Sequence, residues 1–320
     1  MAKRPNVVPA PSDALTSDVL AGLKQAPKQL SPVWFYDETG SSLFDRICEL
    51  PEYYITRTEL AIMREHAGEM AARIGPRAAL IELGSGTSLK TRLLLDHLEA
   101  PAAYVPVDIA RDHLLDAAGA LARDYPDLRI APVCADFTQP FDLPVSIAAA
   151  RRRVVYFPGS TLGNFEEDAA RRLLSSMRHI IGARGAVLIG LDLKKDQRVL
   201  EAAYDDAAGV TAQFNLNALR HVNRELGADF DLDAFDHLAV WVEDHSRIEM
   251  HLVSRRDQVV RVGDEKVEIA RGEHLRTECC HKYTLEGFAA LAASADLAVR
   301  QVWTDPDQKF SVQLLEAAAH

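Results

Sequence analysis

From residue 78 to residue 193 the chain alternates short apolar runs with helix-periodic segments, and this rhythm constrains its fold more than any other feature. "AALIEL" (78–83), "AAYVPVD" (102–108), "LRIAPVCAD" (128–136), "RRVVYFPGS" (152–160) and "AVLIGLDL" (186–193) read as strands. Between them "SLKTRLLLDHL" (88–98), "RDHLLDAAGALARDY" (111–125) and "EEDAARRLLSSMRHII" (166–181) repeat apolar residues at helical spacing. Apolar strands separated by amphipathic helices predict a parallel sheet covered on both faces. The rhythm then stops. Residues 196–225 read as helices, and 247–254, 258–262 and 266–270 alternate apolar with polar, as an antiparallel meander does. "TLEGFAALAASA" is helical, and "LAVRQVWTD" and "KFSVQLLEA" read as two strands that return to the first sheet. The expected division is one α/β domain over 60–196 and 284–320, and a second, α+β domain over 1–59 and 197–283.

Composition removes several function classes. The 320 residues carry a net charge of −11, which opposes the basic footprint of nucleic-acid or anionic-membrane binding. The densest basic run, Arg151–Arg153, sits before an apolar strand and reads as a solvated edge. The four cysteines, Cys48, Cys134, Cys279 and Cys280, follow neither a zinc nor a disulfide spacing. No run reaches the roughly 18 apolar residues of a membrane span, and the first residues lack the apolar core of a secretory signal. The expectation is a soluble cytoplasmic protein, monomeric, with no nucleic-acid or membrane partner.

The turn after the first strand is the first chemical clue. In "IELGSGTSLKTR" (81–92), Gly84 and Gly86 let the backbone approach a ligand closely, and the following helix N-terminus offers free N–H groups. The third glycine of a dinucleotide fingerprint is missing, because position 89 is Leu. Asp108 ends the next strand, where an acid accepts hydrogen bonds from a ribose diol. Asp136 ends the one after, followed by Phe137, a pair suited to the amino group and face of adenine. Ribose and adenine without a pyrophosphate point to S-adenosylmethionine over a nicotinamide cofactor. Lys90 falls in the first turn of a helix, where the macrodipole disfavours a cation. It is either a solvent-facing lysine or a clamp on the carboxylate of the cofactor's methionine end.

Four longer stretches carry a resemblance: "PVWFYDETGSSLFDRICELPEYYITRTE" (32–59), "IELGSGTSLKTRLLLD", "YFPGSTLGNF" and "AYDDAAGVTAQFNLNALRHVNRELGADFD". Together they resemble the histidine-specific Nα-methyltransferases of ergothioneine biosynthesis, over about Leu30 to Ala317. The resemblance implies a Rossmann-like, S-adenosylmethionine-dependent methyltransferase domain with an inserted α+β substrate-binding domain. It also implies three methylations of the L-histidine α-amine to give hercynine. Its cofactor set falls on Gly84, Ser85, Gly86, Lys90, Asp108, Asp136 and Phe137. Its substrate set falls on Tyr36, Phe44, Tyr53, Gly159, Asn164, Tyr204, Met250, Glu278 and Cys280. Asn164 and Tyr204 would hold the substrate carboxylate, and Tyr53 and Glu278 would face the imidazole. Tyr36 and Asn164 are the candidates beside the departing amine proton.

Each residue also has an ordinary explanation. Asn164 with Glu167 spells a capping box, the tyrosines suit a core edge, and Met250 suits plain packing. In "RTECCHKY" (276–283) strand alternation puts Glu278 and Cys280 on one face and Cys279 and His281 on the other. That arrangement suits one pocket wall and not a metal, and no metal is expected. Cys280 stands where the family carries Ser, and a thiol is a weaker hydrogen-bond partner. The substitution opens a second reading, methylation of a different amino acid or aromatic amine.

Overall fold

Every residue of the Ala78–Leu83 strand is buried, as a strand must be when helices cover both faces of its sheet. The computed structural model describes residues 11–85, 89–144, 147 and 150–318. The chain divides into two compact units, Met1–Tyr54 with Asp196–Cys280, and Ile55–Lys195 with His281–His320.

The Ile55–Lys195 unit is built on a seven-stranded sheet. Its spatial order is Leu297–Thr304, Phe310–Ala317, Ala186–Asp192, Arg152–Phe157, Ala78–Leu83, Ala103–Asp108 and Val133–Cys134. The last five are parallel, with Ile81 paired to Val105 on one side and Val155 on the other. The two C-terminal strands add antiparallel, Phe310 opposite Asp192. The chain runs outward from Ala78–Leu83 and then crosses back to Arg152–Phe157, so the strand order reverses beside Ala78–Leu83. Ligands of open α/β sheets bind at the carboxyl ends of strands at such a point. One face is a continuous apolar core of Ile81, Val105, Val155, Phe157, Leu174, Met177 and Phe288.

The other face is not purely apolar. Glu82, the register partner of Tyr156, is buried in the middle of an apolar run. It accepts hydrogen bonds from the hydroxyls of Thr91, at 2.7 Å, and Tyr104. Burial pushes its carboxyl up to about 7, against those two hydrogen bonds and the nearby Lys90 charge. A second buried acid, Asp192, binds Lys195 at 2.5 Å and Lys282 at 2.7 Å. These two lysines flank the points where the chain leaves and re-enters the unit.

The other unit holds a four-stranded sheet in the order Lys28–Gln29, His274–His281, Arg247–Ser254 and Phe235–Val242. Gln258–Val262 and Glu265–Ile269 form a separate hairpin. The three expected strands therefore do not make one meander: Arg247–Ser254 pairs with Phe235–Val242, a strand not anticipated, in the register Ala239 to Met250. The 128–136 strand is also shorter than expected. Only Val133–Cys134 and an isolated bridge at Ile130 pair, at the edge of the sheet. Among the described residues no helix is long and apolar enough to cross a membrane.

Candidate active site

The strand tips of the Ile55–Lys195 unit carry most of the expected cofactor set. Gly84 has φ +71°, the left-handed region that favours glycine, and its N–H donates to the Val107 carbonyl at 2.9 Å. A Cβ there would meet the Phe137 ring at 3.6 Å. Phe137 is itself held edge-on against Phe157 and Phe165, with centroids 5.7 and 6.5 Å away. Ser85 is buried. Gly86 lies outside the described residues. Asp108 and Asp136 each close a short turn on their own backbone: Asp108 Oδ1 accepts from the Ala110 N–H, and Asp136 Oδ1 from the N–H and hydroxyl of Thr138. These bonds orient both carboxylates at the strand ends. Neither acid caps a helix, since Ala110 occupies the cap position of Arg111–Asp124.

The tip of Arg152–Phe157 is more constrained. Gly159 and Ser160 both have positive φ, +81° and +58°. The non-glycine Ser160 is held there by burial and by the Asp192 N–H, which donates to its Oγ at 2.9 Å. Asn164 ends a short helical turn, Thr161–Asn164. The next helix starts at Glu167 with Glu166 in the cap position, so the capping-box reading of Asn164 does not hold. Lys90 is neither solvent-facing nor solitary. Its ammonium is ion-paired to Glu59, which is fully buried and whose two carboxylate oxygens each accept from the Gly159 N–H at 3.0 Å. Glu59 was not anticipated; its one signal was its place at the end of the "YYITRTE" stretch.

In the Met1–Tyr54 unit the substrate set forms a string of rings. Tyr36 meets Phe44 (6.0 Å, 72°), Phe44 meets Tyr53 (6.2 Å, 77°) and Tyr53 meets Tyr204 (6.2 Å, 71°). All are edge-to-face contacts, the geometry that ring quadrupoles prefer. Phe214, also unanticipated, packs against both Tyr36 and Phe44 and stacks on Phe35 at 4.6 Å. Tyr36 is set in place by its neighbour Asp37. That carboxylate caps the Glu38–Glu49 helix through the Gly40 N–H at 2.8 Å and accepts from Asn217 and Arg224. Burial alone would raise the Asp37 carboxyl; the Gly40, Arg224 and Asn217 hydrogen bonds outweigh it and hold the group below the usual carboxylate range. Gly40 is required, because a Cβ would sit 1.6 Å from the Phe35 carbonyl oxygen.

Tyr36 keeps 49% of its surface accessible, and neighbouring protein crowds the rest. That crowding, then the Glu278 carboxylate and the Cys48 and Cys280 thiols, push its phenol well above the ordinary value. Glu278 and Cys280 are thus both close enough to act on the Tyr36 phenol. Cys280 and Met250 are buried, and the Met250 carbonyl accepts the Thr277 hydroxyl at 3.1 Å. Tyr204 is fixed through its carbonyl, which accepts from His237 Nε2 at 2.8 Å; Asn215 Nδ2 lies 2.8 Å from the other ring nitrogen. Burial lowers the His237 pKa and keeps the ring neutral. Among the described residues no group of three or more His, Cys, Asp or Glu side chains is placed to hold a metal ion.

The profile of the family described as "Histidine-specific methyltransferase, SAM-dependent" matches residues 15–317. The chain belongs to that family. The family is S-adenosylmethionine-dependent, and S-adenosylmethionine is the methyl donor. The chain is 46% identical over 308 residues to the histidine N-alpha-methyltransferase of Mycolicibacterium smegmatis, covering 95% of each protein. It is 43% identical over 307 residues to that of Mycobacterium tuberculosis, covering 94% of each. It is also 30% identical over 288 residues to Ergothioneine biosynthesis protein 1 of Neurospora crassa, covering 88% of this chain and 32% of the fungal protein.

Proposed function

We propose that the chain transfers three methyl groups in succession to the α-amine of L-histidine, giving hercynine. The observation that carries this is the ring string Tyr36–Phe44–Tyr53–Tyr204 with Glu278 beside its first member, in a chain whose other unit presents the strand-tip set. The strand-tip residues fit the donor: Asp108 would accept from the ribose hydroxyls, Asp136 and Phe137 would take adenine, and Lys90 would meet the methionine carboxylate. The left-handed turns at Gly84 and Gly159 leave room that a side chain would fill. When bound, the sulfonium supplies an electrophilic methyl group for direct displacement.

The chain's own residues do the positioning, which is the larger part of such catalysis. Glu278 would accept a charge-assisted hydrogen bond from the imidazole N–H. Tyr204 would hold the substrate carboxylate. The Tyr36 phenol stays protonated at neutral pH, since its pKa is raised. It therefore hydrogen-bonds near the amine and does not act as a phenolate base, and water takes the amine proton. The ring faces of Phe44, Tyr53 and Phe214 would accommodate the growing ammonium charge by cation–π attraction.

Cys280 favours a second reading, a different amino acid or aromatic amine. A panel of amino acids incubated with S-adenosylmethionine and read by mass spectrometry decides between them: one, two and three methyl additions on histidine support the first reading, and preference for another amine supports the second. The same reading has the chain acting as a cytoplasmic monomer; light scattering in solution tests the monomer.

A further inference from the structure

We infer that Glu59 is a positioning residue for the methyl donor, holding the Lys90 ammonium and the Gly159 amide at the strand tips; this rests on the reading of Lys90 as the clamp on the donor's methionine carboxylate. Three observations place it there. Glu59 has no accessible surface, yet its carboxylate bridges two elements that both end at the strand-order reversal. A Cβ on Gly159 would lie 3.6 Å from Lys90 Nζ, so the ammonium and the turn are neighbours through this one acid. Gly190 leaves the room the acid needs: a Cβ there would sit 2.1 Å from Glu59 Oε1.

The chemistry requires a carboxylate. Lys90 stands at the start of its helix, where the macrodipole repels a cation, and a buried anion offsets that repulsion. Both Glu59 oxygens act as acceptors, one of them from two donors at once. A glutamine would turn an N–H₂ toward either the ammonium or the Gly159 N–H, donor against donor. The ammonium and the turn would then lose their common anchor, and the loss would fall on the amino-acid end of the donor.

The test compares two ligands by calorimetry. S-adenosylhomocysteine keeps the carboxylate-bearing end, and methylthioadenosine lacks it. For Glu59→Gln, S-adenosylhomocysteine is expected to bind at least about tenfold more weakly, the order of one charge-assisted hydrogen bond. Methylthioadenosine is expected to stay within about twofold, a difference below half a kilocalorie per mole. Lys90→Met is expected to show the same selective loss. Equal losses of both ligands in Glu59→Gln would mean a merely structural role and overturn the inference. So would an unchanged or tightened S-adenosylhomocysteine affinity in Glu59→Gln while Lys90→Met shows the selective loss. No selective loss in Lys90→Met would instead overturn the clamp reading itself. If Glu59→Gln does not fold, Glu59→Asp, one methylene short of Gly159, takes its place with the same expectations.

Discussion

Replacing Glu82 by glutamine should make the protein more stable than wild type at pH 8 but not at pH 5. The carboxyl is fully buried, and its burial raises it from 4.5 to about 7. Between those values the folded chain keeps a proton that the unfolded chain has lost. Stability contributed by this group is therefore fully present below about pH 4.5 and disappears as pH rises toward 7. The slope is about 1.4 kcal/mol per pH unit, so the whole transition amounts to about 3 kcal/mol. Glutamine keeps an acceptor oxygen for Thr91 and Tyr104, whose hydroxyls both bond to a single oxygen of Glu82, and it never ionises. Urea unfolding of both proteins at a series of pH values from 5 to 8 measures the difference directly. Wild type should fall behind Glu82→Gln by about 3 kcal/mol across that range. A difference that does not change with pH would mean that Lys90 keeps Glu82 ionised throughout, and would refute the argument.

Three further outcomes test the site and its frame. Asp108→Ala should weaken S-adenosylhomocysteine binding by about 10- to 100-fold, the worth of one or two hydrogen bonds to a charged acceptor; wild-type affinity by calorimetry would remove the ribose assignment. Glu278→Ala should reduce kcat/KM for histidine by about 10- to 100-fold while donor affinity stays within about twofold, and equal losses in both would remove its role in ring recognition. Asp192→Asn should cost about 3–5 kcal/mol in urea unfolding, because it leaves the Lys282 and Lys195 ammonium groups buried beside a neutral partner; a loss under about 1 kcal/mol would place those lysines in contact with water.

The residues that were legible in the sequence are those at pattern breaks. Asp108 ends its strand, Gly84 and Asp136 lie one and two residues past theirs, and a glycine or an acid where an apolar run stops is conspicuous. The parallel sheet was legible for the same reason, since five apolar runs separated by helical periods admit few other arrangements. The Phe235–Val242 strand was not. Its sequence, FDHLAVWV, has a burial pattern that is mostly intermediate, so the face it turns to the helices is marked by few fully buried positions. His237 does its work there by a hydrogen bond to the Tyr204 backbone, and a backbone partner leaves no mark on sequence spacing. The 128–136 segment erred the other way: its apolar residues predict a strand, but only Val133–Cys134 forms one.

Glu59 and Glu82 were hidden by a different cause. Glu82 is a single charged residue in an apolar run, and Glu59 is one of several charged residues on the Tyr54–Ile74 helix, so neither stands out in a periodic pattern. The physics is the reverse. A carboxylate in a buried position is tolerated only when partners satisfy it, so its presence in "AALIEL" already demands donors on the neighbouring elements. Those donors, Thr91 and Tyr104, are separated from it by 9 and 22 residues, and Lys90 from Glu59 by 31. The demand can be read from one sequence; the identity of the donors cannot, because it depends on the register that sets Ala78–Leu83 beside Ala103–Asp108 and on the helix that brings Glu59 to the turn. The acids at the strand tips are therefore legible by position. The acids behind them, which fix how that position is held, become visible only when the sheet is assembled.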